Sequence, residues 1–296
     1  MHIGEKIKRL RTAKLMTQSE LVGGEITRNM LSRIEHGAAQ PSMATVQYIA
    51  ERLNVSVGFL LANEEDEILY FKSAEIGNIK RAYVNKDYAL CREMCKNSEW
   101  SDDELRLIFA ESTTYVAIEA FSHGNLRQAA ELFDEAIEYC SQTIYDTSAI
   151  QARIKCYFDY MGFISPTLDS NVADYYDKAT LPILQEDFCV YASVILFCEE
   201  NGYSNSHFIN SNLEKLTNGS SYQIHIRAKQ LIESKSYREG YEALHAMLFD
   251  DNCEIPEPML YFVLSDIELC CKEIDDFKSA YDFSKSKIEL MQKLLS

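Results

Sequence analysis

Apolar residues recur every three or four positions along almost all of this chain, and runs that alternate every second residue are scarce. That spacing lines one face of a helix, which turns once in ~3.6 residues. Only five prolines interrupt it, at 41, 166, 182, 256 and 258. A chain of 296 residues with 47% hydrophobic residues has room for a small domain and a larger one, each with a core. The expected class is all-α.

Charge divides the chain. Residues 1–63 carry 8 Lys/Arg against 5 Asp/Glu, and the remainder carries 21 against 41. An acidic body repels nucleic acid and anionic membrane, so any phosphate contact is expected from the first sixty residues or so. The start, MHIGEKIKRLRTAK, has no apolar stretch, so no signal peptide is expected. The longest apolar run, FCVYASVILFC at 188–198, is too short for a bilayer, which needs ~20 residues. The expectation is a cytoplasmic, soluble protein without membrane contact. Nine cysteines with no CxxC pair fit reduced thiols in helix cores, with redox sensing left open. Zinc-finger spacing is missing, so no metal is expected.

The first segment reads as five short helices. Ile3, Ile7, Leu10 and Leu15 form a stripe among basic residues. Thr17 and Glu20 make a capping box for a second helix that Gly23-Gly24 stops. Thr27 caps a third, which ends at Gly37. Pro41-Ser42 opens a fourth, with Met43, Val46, Ile49, Ala50 and Leu53 inward. Ser56 caps a fifth with Val57, Phe59, Leu60 and Leu61. The acidic ANEEDE run at 62–67 reads as a solvated linker and the first turn of the next helix. The expected division is 1–63 for the head, 64–70 for a linker or helix start, and 71–296 for the body.

The body shows a repeat. Residues 109–140 read as helix, turn, helix, with the turn at His123-Gly124-Asn125. Small Ala117, Ala120, Ala129 and Ala136 alternate with Tyr115, Phe121, Phe133 and Ile137. This looks like a tetratricopeptide (TPR) repeat of ~34 residues. Weaker copies lie at 75–95, 224–249 and 261–291, with turns at 85–87, at Ser236-Tyr237 and near Asp275. Residues 141–220 read as helical pairs of unclear phase. Such pairs stack into a curved solenoid because none buries its own apolar face. An irregular bundle is the alternative.

Two helices joined by a tight turn inside a five-helix unit are the helix-turn-helix plan. The stretches TQSEL at 17–21, ITRNMLSRIEHG at 26–37, Pro41-Ser42 and LNVSVGFLL at 53–61 resemble the phage-repressor-like (Xre/Cro-type) helix-turn-helix family. One departure is the turn Val22-Gly23-Gly24-Glu25, a residue shorter than the family's usual form. The resemblance implies that the third helix lies in the major groove of double-stranded DNA. Arg28, Asn29, Ser32 and Arg33 are then the base-reading candidates, since Arg pairs with guanine and Asn with adenine through two hydrogen bonds. Gln18, Thr27 and His36 are the phosphate candidates, and Arg11 and Glu35 resemble a family ion pair. The competing readings are a solvated basic face and two separate surface charges.

An Xre-type head on a degenerate tetratricopeptide body resembles the peptide-sensing Gram-positive regulators of the Rgg and PlcR kind. That resemblance implies a right-handed solenoid of TPR-like hairpins, a short peptide on its concave face, and a homodimer on a palindromic operator. The head's small positive charge also argues for two copies on DNA. No peptide-binding residues can be assigned; Asn201, Asn205, Asn210 and Asn212 are explained more simply by turns. The alternative is a regulator whose solenoid is a protein-binding scaffold. No phosphate loop, nucleophile elbow or HExxH motif is present, so neither an enzyme nor a cofactor is expected.

Overall fold

The computed structural model describes residues 2–165, 185–202 and 206–295. Among these every regular element is a helix, sixteen in all. The chain divides into two compact units, Met1–Arg81 and Ala82–Ser296. None of the described helices is long and apolar enough to cross a membrane.

The first unit holds α1 (Ile3–Ala13), α2 (Gln18–Val22), α3 (Arg28–Glu35), α4 (Met43–Leu53), α5 (Val57–Leu61) and most of α6 (Glu64–Val84). Its core joins Ile7, Leu21, Leu31, Ile34, Val46, Ile49, Ala50, Leu53 and Leu60. Three expected core residues are outside. Leu15 is 91% exposed because α1 ends at Ala13 and Leu15 turns left-handed. Met43 and Leu61 are exposed at the first and last positions of their helices.

The reverse surprise is Lys6, buried within the unit. Its Nζ donates to the carbonyls of Phe59 at 2.5 Å and Ala62 at 3.1 Å, and sits 4.5 Å above the Phe59 ring. Those carbonyls lie in and just after the last turn of α5, where helix ends leave acceptors unmet. Glu67 completes the charge at 3.4 Å from Lys6 and 2.7 Å from Arg9. The 64–67 stretch is therefore already helical, and its fourth acid is buried against α1.

The second unit holds α7 (Tyr88–Asn97), α8 (Asp103–Ser122), α9 (Leu126–Cys140), α10 (Ser148–Ile164), α11 (Asp187–Asn201), α12 (Ser206–Leu213), α13 (Ser221–Glu233), α14 (Tyr237–Leu248), α15 (Glu257–Glu273) and α16 (Phe277–Leu294). The turns expected at 85–87, 123–125, near 236 and near 275 each hold a left-handed residue: Lys86, Gly124, Lys235 and Asp275. Ala117, Ala129 and Ala136 are fully buried beside Phe121 and Phe133, as the repeat pattern requires. The phase of 141–220 falls partly outside the described residues, as does Asn205. Asn212 lies within α12, not at a turn as expected, and bonds back to the Phe208 carbonyl one helical turn earlier at 2.9 Å.

The stack curls until α15 meets α8. Gly124, in the α8–α9 turn, lies so near α15 and α16 that a Cβ there would stand 2.4 Å from Glu257 Oε2 and 2.9 Å from Leu294 Cδ2. Inside the curl, rings from four helices interlock. Tyr157 stacks on Phe188 at 4.2 Å, Phe121 meets Phe188 at 5.1 Å, and Tyr160 meets Phe262 at 5.3 Å. Such pairs each add ~0.5–1.5 kcal/mol beyond burial. This part of the inner face is core, not an open groove.

Candidate nucleic-acid interface

The short α2 is held at both ends. Glu20 N–H donates to Thr17 Oγ1 at 3.2 Å, and Thr17 N–H donates to Glu20 Oε2 at 2.6 Å, closing the capping box. The hydrogen bond from the Thr17 backbone, with that from its side chain, holds the Glu20 carboxyl below the usual range. At the other end Gly23 is left-handed, φ 50°. Tyr48 Oη donates to the Val22 carbonyl at 2.9 Å, and Arg52 reaches the Glu20 carbonyl. A Cβ on Gly23 would be 2.4 Å from Tyr48 Oη. Thus α4 fixes the shortened turn between α2 and α3.

Thr27 Oγ1 caps α3 by accepting from Met30 N–H at 3.1 Å. Leu31, Ile34 and Glu35 face inward, while Arg28, Asn29, Arg33 and His36 are exposed. Ser32 is half-buried. Met30 is 37% exposed. The His36 ring is turned back onto the Ser32 carbonyl at 2.7 Å. Arg33 approaches the Ala38 carbonyl at 3.5 Å, too long to hold the guanidinium firmly. Two cations and an amide therefore project from one side of a rigidly seated helix.

Beneath that helix lies a buried acid. Arg11 meets Glu35 through Nε at 2.7 Å and Nη2 at 3.2 Å, and donates from Nη1 to the Met16 carbonyl at 2.7 Å. Gln18 Nε2 donates to Glu35 Oε2 at 2.7 Å. Burial pushes the Glu35 carboxyl up, but the hydrogen bonds from Arg11 and Gln18 outweigh it and leave the carboxyl below its ordinary value. Glu35 in turn raises the Arg11 pKa. That Gln18 joins this pair was not legible in the sequence, where it stands as a phosphate candidate. One of its amide protons braces α2 against α3, which leaves the second to donate outward. Tyr48 and Arg52 were also missed: they touch no DNA candidate, and their partners lie 26 and 32 residues away.

Residues 7–60 match the family model described as "Helix-turn-helix". The head is a helix-turn-helix domain. Two solved structures resemble the whole chain loosely. PlcR of Bacillus thuringiensis, in complex with the peptide PapR7 and DNA, is 14% identical, with 98% of this chain and 95% of that one covered and a TM-score of 0.25. A mutant of PrgX is 14% identical, with 92% and 95% covered and a TM-score of 0.31. A comparison with curated proteins found no match. The second helix of the motif is α3.

Proposed function

We propose that this protein is a sequence-specific, DNA-binding transcription regulator of the cytoplasm. The observation that carries the reading is α3, braced by Glu35 and by the Gly23 turn, with Arg28, Asn29 and Arg33 outward. Arg28 and Asn29 occupy the first turn, the part of a reading helix that meets base edges. Ser32 stands behind them. Thr27, His36 and the outward proton of Gln18 supply phosphate contacts. Two copies read a palindrome with half-sites ~34 Å apart. Support for a homodimer comes from α16, where Phe277, Tyr281 and Ile288 are exposed on one face.

The test is selection of bound duplexes from a random pool, repeated with Arg28→Ala and Arg33→Ala. Wild type enriches a palindrome, and each variant loses ~1–3 kcal/mol of discrimination at its own base pair. No enriched palindrome defeats the reading. Unchanged preference in both variants defeats the assignment of α3.

The body is proposed to sense a short signalling peptide. A cleft of ≈ 820 Å³ supports this; Ser122, His123, Tyr222, Asn252 and Glu254 are among its lining residues. Its size is that of a ligand site. A coupling of ~1–3 kcal/mol between peptide and DNA is enough for control. The apolar face of α16 also favours a second reading, a scaffold for a folded protein. A short peptide that raises the melting temperature supports the sensor; co-purification of a folded partner without such a shift supports the scaffold.

A further inference from the structure

Of the nine cysteines, two pairs stand side by side: Cys91 and Cys95, one turn apart on α7, and Cys156 and Cys189, where the Cys156 thiol donates to the Cys189 carbonyl at 3.8 Å. The pairs differ in chemistry. Cys91 is fully buried, and hydrogen bonding to the Cys95 thiol, then to Ser112, holds its thiol below the ordinary range. Hydrogen bonding to Cys189 and burial push Cys156 well above it. Burial raises Cys140 to about 11 and Cys270 to about 12, and it also raises Cys198, Cys253 and Cys271. Cys95 has access as well. It is half-buried and lines a cavity of ≈ 140 Å³ with Trp100, Phe109, Tyr139 and Arg106.

What suits two thiols set this way? A disulfide does not fit an intact α7. Side chains four apart on a helix have Cβ atoms about 5–6 Å apart, and a disulfide needs about 3.5–4.5 Å. Zinc does not fit either. It takes four ligands, and no group of three or more His, Cys, Asp or Glu among the described residues is placed to hold a metal ion. A centre that bonds two sulfurs at an angle, and carries one further substituent, spans the pair without bending the helix.

We propose that Cys91 and Cys95 form a dithiol site for a monosubstituted trivalent organoarsenical, with its organic group in the cavity beside Cys95, against Trp100, Phe109 and Tyr139. The reaction balances as R–As(OH)2 plus two thiols giving R–As(SR′)2 plus two waters. Each thiol proton leaves on an arsenic hydroxyl, and no electron is transferred. The second As–S bond forms within the molecule, so the chelate binds about 100-fold or more tighter than one thiol can.

Phenylarsine oxide, titrated onto the full chain and followed by alkylation of the remaining thiols, tests this. One arsenic per chain is expected. It protects Cys91 and Cys95 together, which trypsin separates into the peptides 87–92 and 93–96 after cutting at Arg92. Cys95→Ser weakens binding about 100-fold with an unchanged melting temperature, while Cys156→Ser leaves binding as it was. Cys91→Ala gives the same loss as Cys95→Ser if it folds. Retention of arsenic at Cys156 and Cys189 or at Cys270 and Cys271 in place of this pair, equal affinity in Cys95→Ser, or no retained arsenic overturns the proposal.

Discussion

At the scale of single residues the head depends on groups whose surroundings invert their usual behaviour. Glu35 is an acid with its side chain fully out of solvent, while Arg11 keeps an edge in water. Removing Arg11 leaves that acid buried with only Gln18. Arg11→Ala is expected to cost about 2 kcal/mol, between the values for exposed and for buried pairs, read from urea midpoints at pH 7. The pH dependence follows from the sign. The folded carboxyl is depressed, so its contribution is complete above the unfolded pKa of about 4.3 and is lost as pH falls through the folded value. The gap between wild type and Arg11→Ala therefore narrows below pH ~4. Gly23 gives a second case. Gly23→Ala combines a left-handed penalty of ~1–2 kcal/mol with a Cβ that meets Tyr48 Oη. In a Tyr48→Phe background that oxygen is gone, so the same change costs less. Equal costs in both backgrounds, by denaturant titration, rule out the clash.

At the scale of elements, the hairpin turns of the body show how much a sequence can disclose. All four turn positions were readable, because a small polar residue interrupts each apolar stripe. Their unequal tolerance was not. Lys86, Lys235 and Asp275 hold left-handed backbone with a side chain present, whereas Gly124 has atoms of α15 and α16 where a Cβ belongs. Gly124→Ala is expected to destabilise by at least ~2 kcal/mol, adding overpacking to the backbone penalty. Lys235→Gly stays within ~1 kcal/mol of wild type, because relief of the turn is offset by a freer unfolded chain. Thermal unfolding of the two variants decides this. The same contrast holds in the head. The capping box of α2 was legible because it spans four residues. The roles of Lys6 and Tyr48 were not, because their partners lie 53 and 26 residues away.

At the scale of the whole molecule, the curl of the body encloses a chain of buried polar groups that reaches solvent at Glu199. Tyr191 Oη and His225 Nδ1 are 2.8 Å apart, His225 Nε2 and Asp266 Oδ2 are 2.8 Å apart, and Lys229 bridges Asp266 at 3.2 Å and Glu199 at 2.8 Å. Burial lowers the His225 pKa more than Asp266 restores it. The sign is the reverse of the usual histidine case. The unfolded imidazole takes up its proton near pH 6.5 before the folded one does, so stability is full above that pH and falls below it. Wild type is expected to lose melting temperature between pH 7 and pH 5.5, and His225→Gln to lose less. A parallel decline in both excludes His225 as the source.

The sequence by itself determined the all-helical class, the five short helices of the helix-turn-helix head, the outward face of its third helix and four hairpin turns of the body, but not the phase of residues 141–220. Each of these rests on spacings of two to eight residues, within which chain geometry leaves few choices. Only the tertiary structure decided which charges are buried, that Gln18 braces Glu35, that α4 props the shortened turn, and that the body's inner face is partly filled with rings. Those outcomes need helices from distant parts of the chain to meet. Burial and pKa follow from that meeting, because a side chain's surroundings are set by its neighbours in space.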